Sequence, residues 1–238
     1  LHRWRILLLG GALVTVNVAS LSPLHAPSAT DRTIAVGTAV ATTALVVLRL
    51  YRVVRGRELA EDALRYQATH DQLTGLANRS MLLDELGRAL ARTAAPGCDP
   101  GPLLLYLDLD GFKKINDEHG HAAGDAVLEE VGRRLAAITR RGDVVARLGG
   151  DEFVVLCYGV PPDGAQALGT KLCESVRRPI EVHGLEVSVG ASVGIVAVTV
   201  PTDAAGLGIA GAEAALGTAD AAMYRAKRSG GGYRLVEH

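Results

Sequence analysis

Cysteine is scarce in this sequence, and the few cysteines present are widely spaced. The 238 residues include three, Cys98, Cys157 and Cys173. An odd number of distant cysteines fits neither a disulfide framework nor a zinc site built from closely spaced thiolates. We therefore expect these residues to be reduced thiols in the core or on the surface.

The net charge of the chain is close to zero, and acidic residues are rare in its N-terminal segment. Lys and Arg total 25 against 26 for Asp and Glu, which gives no reason to expect a nucleic-acid-binding protein. Residues 1–57, however, hold seven arginines and a single acid, Asp31. This asymmetry indicates a membrane partner.

Two apolar runs, residues 6–22 and 34–48, lie inside this acid-poor segment. Each is near the short end of the roughly 17–25 residues that span a bilayer. Arginines precede the first run and follow the second, so the positive-inside rule places both ends in the cytoplasm. The sequence thus predicts a transmembrane helical hairpin over residues 1–52, in the inner membrane, with the rest of the chain in the cytoplasm. A cleaved signal peptide followed by a buried helix is the alternative.

Residues 53–70 predict a linker helix between the membrane segment and a domain over residues 71–238. Leu59, Ala63, Tyr66 and His70 recur at steps of four, three and four, which makes a narrow apolar stripe. Such a stripe suits pairing with a second copy of itself in a coiled coil. A solvated connecting helix explains the same pattern.

Strands and helices alternate beyond this linker. Helices are predicted over residues 79–92, 124–139 and 165–178 and in a segment ending at 228; strands over 103–109, 144–148, 152–158 and 233–236; and a hairpin over 180–198. This order predicts an α/β (α+β) sandwich with a central, mostly antiparallel sheet flanked by helices.

Carboxylates cluster at the predicted strand ends. Asp108 and Asp110 close the strand "LLLYLDLD" and, because strand side chains alternate, point to one side. Asp151 and Glu152 follow Gly149 and Gly150. Carboxylate oxygens of this kind bind Mg²⁺, which is commonly shared with substrate phosphates, and glycines let the backbone approach a phosphate closely. An ordinary Gly-Gly turn with solvated acids is the alternative for either stretch alone.

The stretch "GGDEF" at residues 149–153 resembles the signature of the GGDEF family of diguanylate cyclases. Other marks of that family stand in order: "DQLTGLANR" at 71–79, "DLDGFKKINDEHGHAAGD" at 108–125, "SVGI" at 192–195 and "ADAAMYRAKRSG" at 219–230. The resemblance runs from about residue 69 to 232. Several motifs in the correct order make this similarity highly specific.

The resemblance implies a metal site and a catalytic site. Asp108 and the backbone carbonyl of Leu109 would bind metal, and Asp151 and Glu152 would supply the remaining metal-binding and catalytic carboxylates. The expected ion is Mg²⁺, with Mn²⁺ as the alternative. Gly149 and Gly150 would lie against the substrate phosphates.

The resemblance also implies a guanine site. Asn116 and Asp125 would hold the base, and Phe112 belongs to the same substrate-binding motif. An amide donating to guanine O6 and a carboxylate accepting from N1–H and the exocyclic amine would select GTP over ATP. Asn116 as a turn residue and Asp125 as a helix N-cap are the local alternatives.

Two lysines, Lys113 and Lys227, match phosphate-contacting positions of the family, although either could be a solvated surface residue. The sequence departs from the family pattern beside the second lysine. Gly231 stands where the family usually has a cation, which puts the strength of triphosphate binding in doubt unless Arg228 substitutes.

Arg140 and Asp143 match the arrangement in which the family binds its product at an inhibitory site. A bare R-x-x-D pattern also arises from ion pairs at helix ends, which is the alternative here.

Together these implications give a Mg²⁺-dependent diguanylate cyclase that condenses two GTP into cyclic di-GMP, acts as a homodimer and is inhibited by its product. The alternatives are a catalytically silent GGDEF domain that binds GTP or cyclic di-GMP as a receptor, and a structural module that only dimerises.

Overall fold

The computed structural model describes residues 28–93, 101–182, 184–198 and 208–236. The chain divides into two compact units, with the boundary between Leu64 and Arg65. The described cysteines, Cys157 and Cys173, are free and buried, as expected of reduced core thiols. Cys98 lies outside the described residues.

A single continuous helix, α1 (Ala29–Thr69), carries both the second apolar run and the predicted linker. It is the one helix among the described residues that is long and apolar enough to cross a membrane. The hydroxyls of Thr38 and Thr42 donate to backbone carbonyls one turn earlier, so these polar groups are satisfied within the helix. The first apolar run lies outside the described residues, and the predicted hairpin is therefore not seen.

The remaining elements build the second unit. They are α2 (Arg79–Thr93), β1 (Leu103–Asp110), α3 (Phe112–His119), α4 (His121–Ile138), β2 (Val144–Gly149), β3 (Glu152–Cys157), α5 (Pro162–Arg177), β4 (Ile180–Val182), β5 (Leu185–Val187), β6 (Gly190–Ala197), α6 (Ile209–Arg228) and β7 (Gly232–Val236). Five strands form a sheet in the order β2-β3-β1-β6-β7. The pairs are antiparallel except β6–β7, which is parallel, so the sheet is mixed and mostly antiparallel, as expected.

Strand β1 lies at the centre of the sheet and is buried on both faces. Its odd-numbered leucines, such as Leu105 and Leu107, pack with α4 and α5. Leu104 and Tyr106 point to the opposite face and pack with α2 and α6. This period of two explains why the strand is apolar throughout until its last residues, where Asp108 and Asp110 continue the α6-facing side.

Helix α6 approaches the sheet closely because β6 lacks a side chain at one position. A Cβ on Gly194, in the "SVGI" motif, would overlap the backbone of Ala219 and Met223 in α6. A glycine at this position therefore lets the helix lie against the strand, and the same helix carries Lys227 to the end of β1.

Two local expectations were wrong, and one helix was not predicted. Residues 112–119 form a helix of their own, and α4 begins at His121, before the expected start at residue 124. The expected hairpin over 180–198 is instead a small separate sheet, β4–β5, followed by β6, which pairs with β1. Strand β6 joins the main sheet because its residues are buried on both faces, which a two-stranded hairpin could not provide.

Candidate active site at the end of the central strand

Three carboxylates lie at one edge of the sheet, where β1 ends and β3 begins. Asp108 on β1 is directly opposite Glu152 on β3, and Asp151 precedes Glu152 in the turn from β2. Gly149 and Gly150 form that turn with φ of 148° and 51°, conformations that L side chains rarely adopt. The glycines thus permit the tight connection that brings the acids of β3 to the end of β1.

These acids are partly buried and close enough to affect one another's pKa values. Burial raises the pKa of Asp151, and the nearby charge of Asp108 raises it further. Burial also raises the pKa of Glu152; the neighbouring Tyr106 hydroxyl opposes this shift, while the charges of Asp220 and Asp108 add to it. The site would therefore be stabilised by a bound positive charge.

Lys227 supplies one such charge. Its Nζ lies 2.6 Å from Oδ1 of Asp108, and this hydrogen bond raises the pKa of the lysine. The lysine expected to contact phosphate is thus paired with the first of the three carboxylates. Its side chain is 45% exposed, so it remains accessible to a ligand at the strand edge.

The donor set fits a hard divalent cation. Asp108, Asp151 and Glu152 offer carboxylate oxygens, the ligands that Mg²⁺ and Mn²⁺ take, and their mutual repulsion is relieved by a cation. Within the described part of the chain, no three side chains stand close enough to form a complete metal cage. Water or a bound ligand would have to complete the coordination, as is usual for Mg²⁺.

Asp110 points to the same face as Asp108, as expected, but is engaged elsewhere. The Ser192 hydroxyl donates to its two carboxylate oxygens at 2.8 and 3.1 Å. Gly190 and Gly231 leave room for this carboxylate, since a Cβ on either would come within about 3.1 Å of it. Asp110 therefore fixes the junction of β1, β6 and the end of α6.

The expected guanine-binding residues lie on two consecutive helices, α3 and α4. A Cβ on Gly124 would overlap the side chain of Asn116, so that glycine allows the two helices to meet. Asp125 is exposed on α4, and Phe112 is buried beneath the pair. The turn and N-cap alternatives are wrong, because Asn116 is inside α3 and Asp125 is inside α4, whose N-cap is Gly120.

Lys113 is exposed at the first turn of α3. It follows the carboxylate-bearing strand directly, after Gly111, whose φ of 85° turns the chain from β1 into the helix. Lys113 and Lys227 therefore lie on two different helices, and only Lys227 is paired with a carboxylate of the edge.

Arg140 and Asp143 lie away from the carboxylate edge. The Asp143 carboxylate accepts hydrogen bonds from the backbone amides of Arg140, at 2.9 Å, and Tyr158, at 3.2 Å. Arg140, Asp143 and Lys171 line a cavity of about 320 Å³. The aspartate thus shapes this turn through backbone amides and leaves the arginine side chain exposed.

One positioning pair was missed by sequence reasoning. Nη1 of Arg147 donates to both oxygens of Asp71 at 2.9 and 3.0 Å, while its Nε and Nη2 donate to the carbonyl of Gly150 at 3.1 and 2.8 Å. Although burial alone would raise the pKa of Asp71, hydrogen bonds from Thr74 and Arg147 lower it. The motif "DQLTGLANR" contained the signal, but its aspartate had no evident partner in sequence.

A comparison with known families agrees with the geometry. The family model for the diguanylate cyclase GGDEF domain matches residues 68–232, more than half of the chain. The chain belongs to this family.

Individual proteins with GGDEF domains are similar to this chain in sequence and in structure. The chain is 40% identical over 171 residues to the diguanylate cyclase DgcP of Pseudomonas aeruginosa. The aligned region covers 70% of this chain and 23% of DgcP. A TpbB variant from P. aeruginosa that comprises only the GGDEF domain superposes with a TM-score of 0.62 at 38% identity, covering 71% of this chain and 94% of that one. The coiled coil and GGDEF domain of DgcB from Caulobacter crescentus, in complex with c-di-GMP, gives a TM-score of 0.67 at 28% identity, covering 82% and 97%.

The chain spans about a quarter of the length of the curated relatives it matches.

Proposed function

We propose that this chain is an active diguanylate cyclase that condenses two GTP into cyclic di-GMP. Each 3′-oxygen attacks the α-phosphorus of the other GTP, and two pyrophosphates leave. The observation that carries the proposal is the intact carboxylate edge, in which Asp108 and Glu152 are register partners and Asp151 adjoins them. The name of DgcP and the family of the chain support the same reaction.

The residues of the carboxylate edge would bind the metal ion and accept a proton. Asp108, Asp151, Glu152 and the Leu109 carbonyl would hold Mg²⁺ or Mn²⁺. When bound, the ion supplies charge neutralisation at the phosphates and makes the attacking hydroxyl more acidic. Glu152 would also accept the proton of the 3′-hydroxyl.

The flanking elements would bind the nucleotide. Asn116 and Asp125 would pair with the edge of guanine, and Phe112 would support that site from beneath. Lys113 and Lys227 would place positive charge beside the triphosphate, near the turn at Gly149 and Gly150. Transition-state stabilisation in such a site comes mainly from positioning and electrostatics.

The active unit would be a homodimer, because each domain holds one GTP and the product contains two guanosines. Leu59, Ala63 and Tyr66 form the stripe on α1, and Leu59 and Tyr66 are more than half exposed, at 62% and 54%. A second copy of α1 would cover these side chains. The anchored helix would hold the domain at the cytoplasmic face of a membrane.

Product inhibition would act through Arg140 and Asp143. The cavity of about 320 Å³ that they share with Lys171 combines two cations with one acid, which suits a phosphodiester and a guanine edge. The c-di-GMP complex of DgcB supports product binding to domains of this fold.

A silent receptor is the second candidate, and one observation favours it. Gly231 has a φ of 87°, and a Cβ there would lie 3.0 Å from Oδ2 of Asp110. The local backbone therefore accommodates glycine rather than the cation usual in the family, which removes one source of triphosphate affinity.

Incubation of the detergent-solubilised chain with GTP and Mg²⁺, followed by chromatography of the products, tests the proposal. Cyclic di-GMP and pyrophosphate in a 1:2 ratio are expected, and ATP should give no product. Binding of GTP or cyclic di-GMP without turnover would select the receptor, and neither binding nor turnover would leave a dimerising module.

A further inference from the structure

An exposed arginine at the end of α5 lies beside the end of the central strand. Arg177 is the last residue of α5, and its side chain reaches the segment that joins α6 to β7. If residue 231 carried a Cβ, that atom would lie 3.9 Å from Nη2 of Arg177 and 3.0 Å from Oδ2 of Asp110. The guanidinium and the last carboxylate of β1 therefore border the same point.

The surroundings of that point are polar and contain no side chain from residue 231 itself. The Ser192 hydroxyl is the third near neighbour, 3.8 Å from the same position. Gly231 has a φ of 87°, a conformation that L side chains rarely adopt, so the backbone favours glycine here. A polar ligand at this end of the sheet can therefore contact the guanidinium without meeting a side chain at residue 231.

The guanidinium of Arg177 is free of protein partners. It is exposed, and over the part of the chain that the structure covers it forms no ion pair. Two other arginines of the domain differ in this respect: Arg134 donates to backbone carbonyls after α5, and Arg147 donates to Asp71 and to the Gly150 carbonyl. The donors of Arg177 thus remain available to a ligand.

Arg177 and Lys227 place positive charge at two points along β1. Lys227 is hydrogen-bonded to Asp108, and Arg177 lies beside Asp110. These aspartates are two residues apart on one strand, about 7 Å along its axis. A chain of linked phosphates can contact both cations, so charge-assisted hydrogen bonds from the pair would favour a triphosphate over a monophosphate.

We propose that Arg177 is a substrate-binding residue that contacts the β- and γ-phosphates of GTP and supplies the positive charge that residue 231 lacks. The proposal takes its ligand, GTP, from the function proposed above. In that reaction the α-phosphorus must lie at Asp108, Asp151 and Glu152, where the 3′-oxygen attacks. Arg177 lies farther along β1, beside Asp110, and is therefore placed for the phosphates that leave.

A structural role for Arg177 is the competing explanation. A cation in the last turn of a helix also interacts favourably with the helix dipole, and this alone would account for an arginine at the end of α5. Arg178 is the matched control, because it is the next residue and is also exposed, but it is not among the three nearest neighbours of residue 231.

The experiment uses the full chain in detergent with Mg²⁺ and two ligands, GMP and the α,β-methylene analogue of GTP, whose P–C bond prevents turnover. Arg177→Gln should raise the Kd of the analogue about tenfold, as expected for loss of a hydrogen bond to a charged group, and should change the Kd of GMP less than about twofold. Arg177→Lys should show a smaller loss, because lysine keeps the charge but not the two-pronged geometry. Arg178→Gln should bind both ligands as the parent does.

Turnover of GTP gives a second measurement. Arg177→Gln should raise KM for GTP about tenfold and change kcat less than about threefold, since the contact is made in both the ground state and the transition state. Circular dichroism checks that the variant is folded. If Arg177→Gln does not fold, Arg177→Lys, which keeps the charge at the helix end, decides the question by the same two ligands.

Three results would overturn the inference. They are a parent-like Kd of the analogue in Arg177→Gln, an equal loss of affinity for GMP, and an equal loss in Arg178→Gln, which would mean that any charge at the helix end has the same effect. Each of these leaves the proposed function standing if the parent forms cyclic di-GMP. Conversely, a parent that binds the analogue through Arg177 but forms no cyclic di-GMP overturns the proposed function alone, and a parent that does not bind the analogue overturns both.

Discussion

Nζ of Lys227, on α6, donates a hydrogen bond to Oδ1 of Asp108, on β1, at 2.6 Å. The lysine therefore balances part of the charge of the carboxylate edge in the free protein. A cation that binds at this edge must share Asp108 with Lys227, and a phosphate must share Lys227 with Asp108. Ligand binding at the edge is thereby linked to the end of α6.

Asp108→Ala and Glu152→Ala should each reduce cyclic di-GMP formation by about 100-fold or more, because each removes charge and a ligand needed in the transition state. Circular dichroism should show an intact fold. Glu129→Ala, on the exposed surface of α4, is the control and should behave as the parent. Substantial activity in folded Asp108→Ala would contradict the metal assignment.

Arg140→Ala should relieve product inhibition. The exposed guanidinium can bind a phosphate through two parallel hydrogen bonds, a geometry that alanine cannot replace. Initial rates measured against added cyclic di-GMP should show a higher inhibition constant with an unchanged rate at low product. Superimposable inhibition curves for mutant and parent would remove Arg140 from the regulatory site.

The Arg147–Asp71 pair should be important for stability and for the glycine turn. Both side chains are mostly buried, with 12% and 21% exposure, so removing one partner of the pair should cost about 3 kcal/mol in the free energy of unfolding. Arg147→Lys should lose activity as well, since lysine cannot contact Asp71 and the Gly150 carbonyl together.

Denaturant unfolding of Arg147→Ala, Asp71→Ala and the double variant measures the coupling. Arg133→Ala is the control: its ion pair with Glu130 is on the surface, with the arginine 70% exposed, and its loss should change the free energy of unfolding much less than the loss of Arg147. Additive effects of the Arg147 and Asp71 substitutions would mean that the two residues are not coupled.

Removing the negative charge of Asp151 should stabilise the free protein at neutral pH. Folding raises the pKa of Asp151 through burial and the charge of Asp108, so the folded state loses stability as pH rises from the unfolded pKa through the raised folded pKa. Without divalent cation, Asp151→Asn should have a higher Tm than the parent at pH 7. The difference should shrink as the pH falls to about 4, where the parent carboxyl takes up a proton in the folded state.

Differential scanning calorimetry at the two pH values, in the presence of a chelator, makes the comparison. Glu152→Gln should show the same sign, because burial also raises the pKa of that carboxyl. A Tm gain at pH 4 equal to that at pH 7 would show that charge is not its cause. The stabilised variants should be inactive.

Removal of residues 1–68 should make activity depend steeply on protein concentration. The truncation deletes the Leu59, Ala63 and Tyr66 stripe and so lowers the effective concentration of one domain at the other. Specific activity of the truncated domain should rise with concentration, and a grafted coiled coil should restore it at low concentration. A flat specific activity in a protein that sedimentation shows to be monomeric would contradict the two-half-site reaction.

The local parts of the site could be predicted from sequence. Alternation along β1 determined that Asp108 and Asp110 share a face, and Gly149 and Gly150 determined a tight turn before Asp151, because both effects depend on the conformation of adjacent residues. The ordered motifs identified the family. By contrast, the same local reasoning missed the short helix α3, since "FKKIND" follows a glycine and contains polar residues that also suit a loop.

Contacts between side chains that are distant in the sequence follow from the packing of helices on the sheet. Lys227 and Asp108 are 119 positions apart, and Arg147 and Asp71 are 76 apart. Their pairing depends on how α6 packs on β6 through Gly194 and on how the segment before α2 lies beside β2. The amino-acid sequence alone indicates which groups could bind a cation or a nucleotide. The folded chain decided which of them are paired, buried or held in place, because those properties depend on the packing of whole helices against the sheet.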